Sequence, residues 1–225
     1  DLFFSRRIGI GDEGQVVPIK GGGRISGKIG QTNVGILNMV TDEISDQNIY
    51  ENNFSVARVN HDFSNSRSSL GVIYVGKNEM GDSNNHYNNV YAIDGKLGLG
   101  KKADITGFFS KSDSPGIDSS DHSFKLIANY NWDGWRINAG YTEVGEGFNP
   151  EVGFLMRSAF KKPEFIVFKQ IRLKDFGPLL EVRPHIAHRS YFDFQDRLVS
   201  SWTHIDNHWV WPSGFEIHTG VNITS

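Results

Sequence analysis

The strongest constraint in this chain is a two-residue alternation of apolar and polar side chains, repeated segment after segment, with almost no helical periodicity beside it. In 91–99, Tyr91, Ile93, Leu97 and Leu99 fall on one face, and Ala92, Asp94, Lys96 and Gly98 on the other. Ala103, Ile105, Gly107 and Phe109 alternate with Asp104, Thr106 and Ser110, with Phe108 interrupting the polar side. Phe124, Leu126, Ala128, Tyr130 and Trp132 alternate with Lys125, Asn129 and Asn131; Trp135, Ile137, Ala139 and Tyr141 alternate with Arg136, Asn138 and Thr142. Leu180, Val182, Pro184 and Ile186 oppose Glu181, Arg183 and His185, and Phe215, Ile217, Val221 and Ile223 oppose Glu216, His218 and Asn222. The stretch 34–40 is apolar on both faces. Such patterning predicts an all-β chain of about a dozen strands.

The connections add a second signal. Residues 30–32, 100–102 and the Asp133-Gly134 pair read as tight turns, the last as a two-residue hairpin. Polar stretches 42–52, 77–88 and 111–121 read as longer loops. Short and long connections therefore alternate through the first two-thirds, less clearly after Val144. No fixed-length repeat and no linker-like composition shift divides the chain, so 1–225 is read as one domain, cut at both ends of a longer protein.

Alternation alone allows two architectures. A soluble sandwich turns its apolar faces inward; a transmembrane barrel turns them to lipid and its polar faces to the lumen. Strand lengths of roughly 9–11 residues suit a tilted membrane span better than the shorter strands of soluble sheets. Trp132 and Trp135 bracket one turn, and Trp209 and Trp211 stand beside Pro212-Ser213-Gly214, so four of the five tryptophans lie at strand ends, where interfacial aromatics belong. The expectation is an antiparallel up-and-down transmembrane β-barrel, incomplete in this chain, in a bacterial outer membrane with lipid as its partner.

Composition excludes several classes. With 16 Phe, 7 Tyr and 5 Trp the chain is not a disordered segment. It has no run of about 18 apolar residues to form a membrane-spanning helix. A net charge of −3 and a pI near 6.2 give no nucleic-acid footprint. The absence of cysteine removes disulfides, thiolate metal sites and cysteine nucleophiles.

Several segments resemble an uncharacterised bacterial family known as domain of unknown function 5916: LFFSRRIG (2–9), VPIKGGGRISGKIG (17–30), TNVGILNMVT (32–41), NFSVARV (53–59), SSLGVIYV (68–75) and, most specifically, YTEVGEGFNPEVGFLMR (141–157). The segments run in order and end at Arg157. The resemblance implies an outer-membrane-type β-barrel, commonly preceded by a family 9-type carbohydrate-binding module that this chain lacks. Transport or handling of an envelope or carbohydrate-related substrate, with oligosaccharide reached through the upstream module, is an expectation that rests wholly on that domain partnership. The family brings no catalytic residues.

Candidate chemistry is sparse. GGRISGKI (22–29) has the glycine and lysine spacing of a phosphate-binding loop, but Ile29 stands where a hydroxyl residue is needed, and a strand follows in place of a helix. His204 and His208 on a strand lie about 13 Å apart, too far to share an ion; a set across strands such as His185, His204 and His218 depends on register. No metal ligand, cofactor or catalytic residue is assigned. The GEGFNPEVGF loop is the most unusual segment, expected to fold inward with Glu146 and Glu151 bonded to arginines, near Asn149, or else to form a stiff corner. An outer-membrane hydrolase with its site at 145–154 is one alternative, and a soluble β-sandwich carbohydrate-binding module another. The polar face expected to line the interior carries Asp94, Lys96, Lys125, Arg136, Arg172, Glu181, Arg183, His185 and Arg189, both signs mixed.

Overall fold

A computed structural model describes residues 1–11, 13–81, 86–117, 119–174 and 177–225. The alternating segments all form strands: β1 (Ile19–Ile29), β2 (Thr32–Thr41), β3 (Glu51–Phe63), β4 (Ser68–Met80), β5 (Tyr87–Leu99), β6 (Ala103–Asp113), β7 (His122–Trp132), β8 (Trp135–Val144), β9 (Phe160–Lys169), the two-residue β10 (Ile171–Arg172), β11 (Glu181–Phe192), β12 (Leu198–Val210) and β13 (Glu216–Thr224). Two single-turn 3-10 helices, at Ser5–Arg7 and Ser45–Gln47, are the only helices among the described residues.

The thirteen strands belong to one sheet in which neighbours in sequence are neighbours in space, with the two-residue β10 paired to β11 off the main path. The ladders are antiparallel, as in Val59↔Val72 between β3 and β4 and Ile186↔Ile205 between β11 and β12. The up-and-down expectation holds, but the order is open: it runs from β1 to β13 without a ladder between them among the described residues. Both end strands are exposed along their whole length, as edges must be.

The Asp133-Gly134 pair forms the expected tight hairpin, with φ of 50° and 72°, the left-handed pair of a type I′ turn whose twist matches that of its strands. The glycine-rich 22–29 segment is part of β1, as its strand reading requires. The longer connections are shorter than the sequence suggests. Strand β4 continues through Lys77 to Met80, β5 begins at Tyr87, and β6 runs on to Asp113, because long polar side chains on a strand are tolerated where one face is hydrogen-bonded and the other open. Parts of two predicted loops, 82–85 and 118, lie outside the described residues.

Two compact units divide the chain. The first holds Asp1–Lys96, Phe108–Phe124 and Val144–Ala159; the second holds Leu97–Gly107, Lys125–Glu143 and Phe160–Ser225. The boundaries fall within β5, β6 and β7 and near the end of β8.

In the first unit, Phe54, Val56, Val75, Val90, Phe148 and Val152 are buried. The strand members of this core share their face with Arg58 and Asp94. The opposite face carries a registered apolar row, Val59↔Val72↔Ile93, exposed at 42%, 49% and 48%. In the second unit, Leu126, Tyr130, Ile137, Ile205 and Val221 are likewise exposed, while the residues between them form hydrogen bonds and ion pairs. The usual inside–outside order of a soluble sheet is thus reversed in the second unit and at the Arg58–Asp94 end of the first, whose inner face is otherwise apolar.

Candidate functional site

The first unit closes around the 145–154 segment. Buried Asn88, on β5, reaches it with both ends of its amide: Nδ2 donates to the Asn149 carbonyl at 2.7 Å, and Oδ1 accepts from the Glu151 N–H at 3.1 Å. Ser112 Oγ, on β6, accepts from the Asn149 N–H at 3.0 Å. Gly147 N–H donates to the Ser120 carbonyl at 3.0 Å. Phe148 and Val152 are buried beneath these bonds, so one short polar segment supplies two apolar anchors and satisfies its backbone on neighbouring strands.

Glu151 is the charged end of this clamp. Its Oε2 accepts from Lys77 Nζ at 2.9 Å, and its Oε1 lies 3.4 Å from His86 Nε2. The expected arginine partners are therefore a lysine and a histidine, because β4 extends far enough to place Lys77 under the loop. Glu146 points outward, and no ion pair is formed by it among the described residues. Asn149 contributes mainly its backbone. The N-terminal segment adds a further layer: Phe4 N–H donates to the Val152 carbonyl at 2.8 Å, Phe154 N–H donates to the Asp1 carbonyl at 2.8 Å, and the Phe4 and Phe154 rings lie 6.2 Å apart. A hollow of about 600 Å³ remains beside Arg7, His86, Glu146 and Glu151. A second, of about 610 Å³, lies beside Arg58, Asp94 and residues 1–5. The Arg58 guanidinium grips Asp94 with both terminal nitrogens, one at 2.8 Å from Oδ1.

The second unit carries a continuous polar ladder. Glu181, 2% exposed at the start of β11, accepts from Gln170 Nε2 at 2.7 Å and from Arg183 Nε at 2.6 Å, with Arg172 Nε at 3.4 Å. Arg183 Nη1 then lies 3.5 Å from Glu216 Oε1 on β13. Three donors around one carboxylate are what a buried charge needs. Glu181 and Arg183 thus meet as a direct pair. His185 meets that pair only through the Arg183 backbone carbonyl, 3.2 Å from its Nδ1; its ring otherwise faces His204 and His208, with ring centroids at 5.2 Å and 5.1 Å. Arg136 stands apart, its guanidinium 4.0 Å over the Phe168 ring. Arg189 lies over Trp202 at 4.6 Å, and Lys125 faces Glu164 at 3.8 Å. Across β6, β7 and β8, Asp104 Oδ1 accepts from Asn129 Nδ2 at 2.9 Å, and Asn129 Oδ1 accepts from Asn138 Nδ2 at 2.5 Å.

The sequence reading did not single out Asp206, and it set His208 aside as too far along the strand from His204 to share an ion. On β12, His204, Asp206 and His208 occupy alternate positions and so share a face. Register sets His185 opposite Asp206 from β11, and His218 opposite His208 from β13. Two triads result, His185–His204–Asp206 and Asp206–His208–His218, with the ligand atoms of each within 4.8 Å of one another. Spacing along one strand separates His204 from His208; Asp206 between them joins the two sets. The alternation of three polar residues on one strand was the available signal, but only ladder register supplies the partners.

Trp132 and Trp135 flank the β7–β8 turn, each beneath a lysine, with Lys102 Nζ 3.9 Å and Lys169 Nζ 4.9 Å from the ring centroids. Trp209, near the end of β12, donates from Nε1 to Thr219 Oγ1 at 2.8 Å, and Trp211 packs on Phe215 at 5.2 Å in the following turn. Comparison with models of known protein families, with curated proteins and with solved structures finds no match to this chain.

Proposed function

We propose that this chain forms part of a transmembrane β-barrel of a bacterial outer membrane, with the exposed apolar rows toward lipid and the polar ladders toward an interior. The observation that carries this reading is the reversed polarity of the strands. In the first unit Val59, Val72 and Ile93 form an exposed registered row opposite the face of the Arg58–Asp94 pair, and in the second Leu126, Tyr130 and Ile137 are exposed while Asn129 and Asn138 between them are hydrogen-bonded. In water such rows would leave a large apolar area exposed without compensation; in lipid they are the solvated surface. Tryptophans with lysines above them at the ends of β7 and β8 fit the headgroup boundary. A soluble sandwich would cover Tyr91 and Trp135, which are 50% and 39% exposed.

The role proposed for the barrel is passage or handling of an envelope substrate. The folded-in 145–154 segment fits a narrowed interior better than a wide pore, since it fills one face of the first unit and is bonded there by Asn88, Ser112 and Lys77. The carbohydrate-related substrate and the upstream binding module rest on the resemblance drawn from the 2–157 segments alone. The hollow beside Glu146 and Glu151 keeps a hydrolase as the second reading. Lys77 and His86 stand at the two Glu151 carboxylate oxygens, which leaves neither placed to take a proton from a substrate.

The test is the gel mobility of the full-length gene product from the outer-membrane fraction, unheated against boiled. A heat-dependent shift is expected, followed by single-channel conductance with and without oligosaccharides. Recovery in the soluble fraction with no shift would overturn the membrane reading. Turnover of a glycan that is lost in Glu146→Gln/Glu151→Gln, with the mobility shift retained, would favour the hydrolase.

A further inference from the structure

Four of the eight histidines of this chain converge on one carboxylate. We propose that Asp206, His208 and His218 bind a divalent transition-metal ion of the zinc, cobalt, nickel or copper class, with His185 and His204 forming the second triad on the other side of the same carboxylate.

The distances support an ion between the groups more than direct contact among them. Asp206 Oδ2 lies 3.3 Å from His208 Nε2, 3.7 Å from His204 Nε2 and 3.9 Å from His218 Nδ1. Charge-assisted hydrogen bonds close to about 2.7–2.9 Å. Two ligands bound tetrahedrally to one ion at about 2.1 Å stand about 3.4 Å apart, and the three separations bracket that value. Asp206 is 8% exposed, and its Oδ1 has no hydrogen-bond partner among the described residues. A buried, half-satisfied carboxylate is costly unless something completes its shell.

The outer nitrogens point to the same conclusion. His204 Nδ1 is 2.9 Å from Asn222 Oδ1, and His185 Nδ1 is 3.2 Å from the Arg183 carbonyl. Glu216 Oε1 lies 2.6 Å from His208 Nδ1 and 3.1 Å from His218 Nε2. His204 and His185 therefore each have an acceptor on the side away from Asp206, and the Glu216 carboxylate stands within ion-pair distance of the outer nitrogens of His208 and His218. In the neutral ring, an N–H toward that acceptor leaves the other nitrogen's lone pair facing the Asp206 carboxylate. Lone pairs converging on an anion repel unless a cation lies between them, and carboxylate or carbonyl groups behind metal-bound imidazoles are the usual second layer of such sites. Space for the carboxylate is kept by Gly220, where a side-chain carbon would stand 2.9 Å from Asp206 Cβ. Imidazole nitrogens with one carboxylate favour these ions over magnesium or calcium, which prefer oxygen shells.

The test is titration of the purified, folded, tag-free chain with Co²⁺, read by its visible ligand-field spectrum, with Zn²⁺ as competitor and Mg²⁺ as control. An intensified inner-sphere spectrum is expected, displaced by Zn²⁺ and indifferent to Mg²⁺. Asp206→Asn should weaken Co²⁺ binding by about tenfold or more. Because that position is buried, His218→Gln on the exposed edge strand serves as a second variant and should weaken binding while leaving the circular-dichroism spectrum unchanged. His188→Gln, whose ring bonds Thr203 and Ser190 away from the cluster, should bind as wild type. A spectrum that remains that of hydrated Co²⁺, or binding that survives both Asp206→Asn and His218→Gln, would overturn the proposal and leave a metal-free imidazole–carboxylate network.

Discussion

Lys77 and Glu151 stand 74 residues apart in the chain, yet Lys77 Nζ donates to Glu151 Oε2 at 2.9 Å, with less than a fifth of either side chain exposed. This pair ties the inserted 145–154 segment to β4. Glu151→Gln would leave the ammonium without its counter-charge in a poorly hydrated place. We expect a loss of about 2 kcal/mol, discounted from the fully buried case for the water that still reaches the pair. Denaturant unfolding checks it, with Lys77→Met/Glu151→Leu expected to recover part of the loss. Equal stability of Glu151→Gln and wild type would show that the clamp is held by Asn88 and Phe148 alone.

Reversed polarity makes a strong prediction about arginine. Ile93→Arg, in the exposed apolar row, should block assembly into lipid vesicles at a cost of about 2–4 kcal/mol near the bilayer midplane. Asn129→Arg, beside Asp104 on the polar side, should assemble with near-normal yield. The measurement is the fraction of heat-modifiable protein after refolding into vesicles. The opposite ranking would mean that the apolar row is not lipid-facing.

Deleting residues 2–7 should loosen the segment they cover. Phe4 bonds Val152 and packs on Phe154, so hydrogen exchange across 150–156 should speed up in the deletion while the β11–β12 hairpin keeps its protection. Unchanged exchange in 150–156 would count against a docked N-terminal layer.

At the β7–β8 turn, Gly134 has φ of 72°, and an added Cβ would stand 2.5 Å from the Gln170 carbonyl oxygen. Gly134→Ala should therefore cost at least about 1–2 kcal/mol from the left-handed conformation alone. The drop in unfolding midpoint relative to Gly177→Ala, a left-handed position with open space around it, isolates the steric part.

Acid should release the β11–β12 turn. Asp193 accepts from the Arg197 backbone N–H at 2.9 Å, from Arg197 Nε at 2.7 Å and from the Gln195 N–H at 2.9 Å. These bonds, that from the Arg197 backbone first, hold its carboxyl below the ordinary value of 3.8. A depressed folded value means that the contribution is complete above the unfolded pKa and is lost as pH falls below 3.8 through the lower folded one. Wild type should thus lose stability relative to Asp193→Asn over that acidic window. A constant difference between the two down to the lowest pH would place the value of Asp193 in packing.

Strand existence was legible from local pattern, since each residue's face in a strand is set by its parity. Tyr91, Ile93 and Leu97 separate from Ala92, Asp94 and Lys96 without knowledge of any neighbour, and Asp133-Gly134 announces its own turn. The limits of β4, β5 and β6 were less legible, because Lys77 and Ser112 look like loop residues until the bonds they make are known. Which face turns to solvent is the same for a sandwich and a barrel at the level of alternation, and the exposure of Val72 and Tyr91 required the whole sheet. Partnership was decided only by tertiary structure. Glu151 finds Lys77 where arginines were expected, and Asp206 gathers four histidines from three strands through ladder register. The reason is physical: parity along a chain is a local property of the backbone, whereas the identity of the residue across a ladder depends on register, which loop lengths and packing set together.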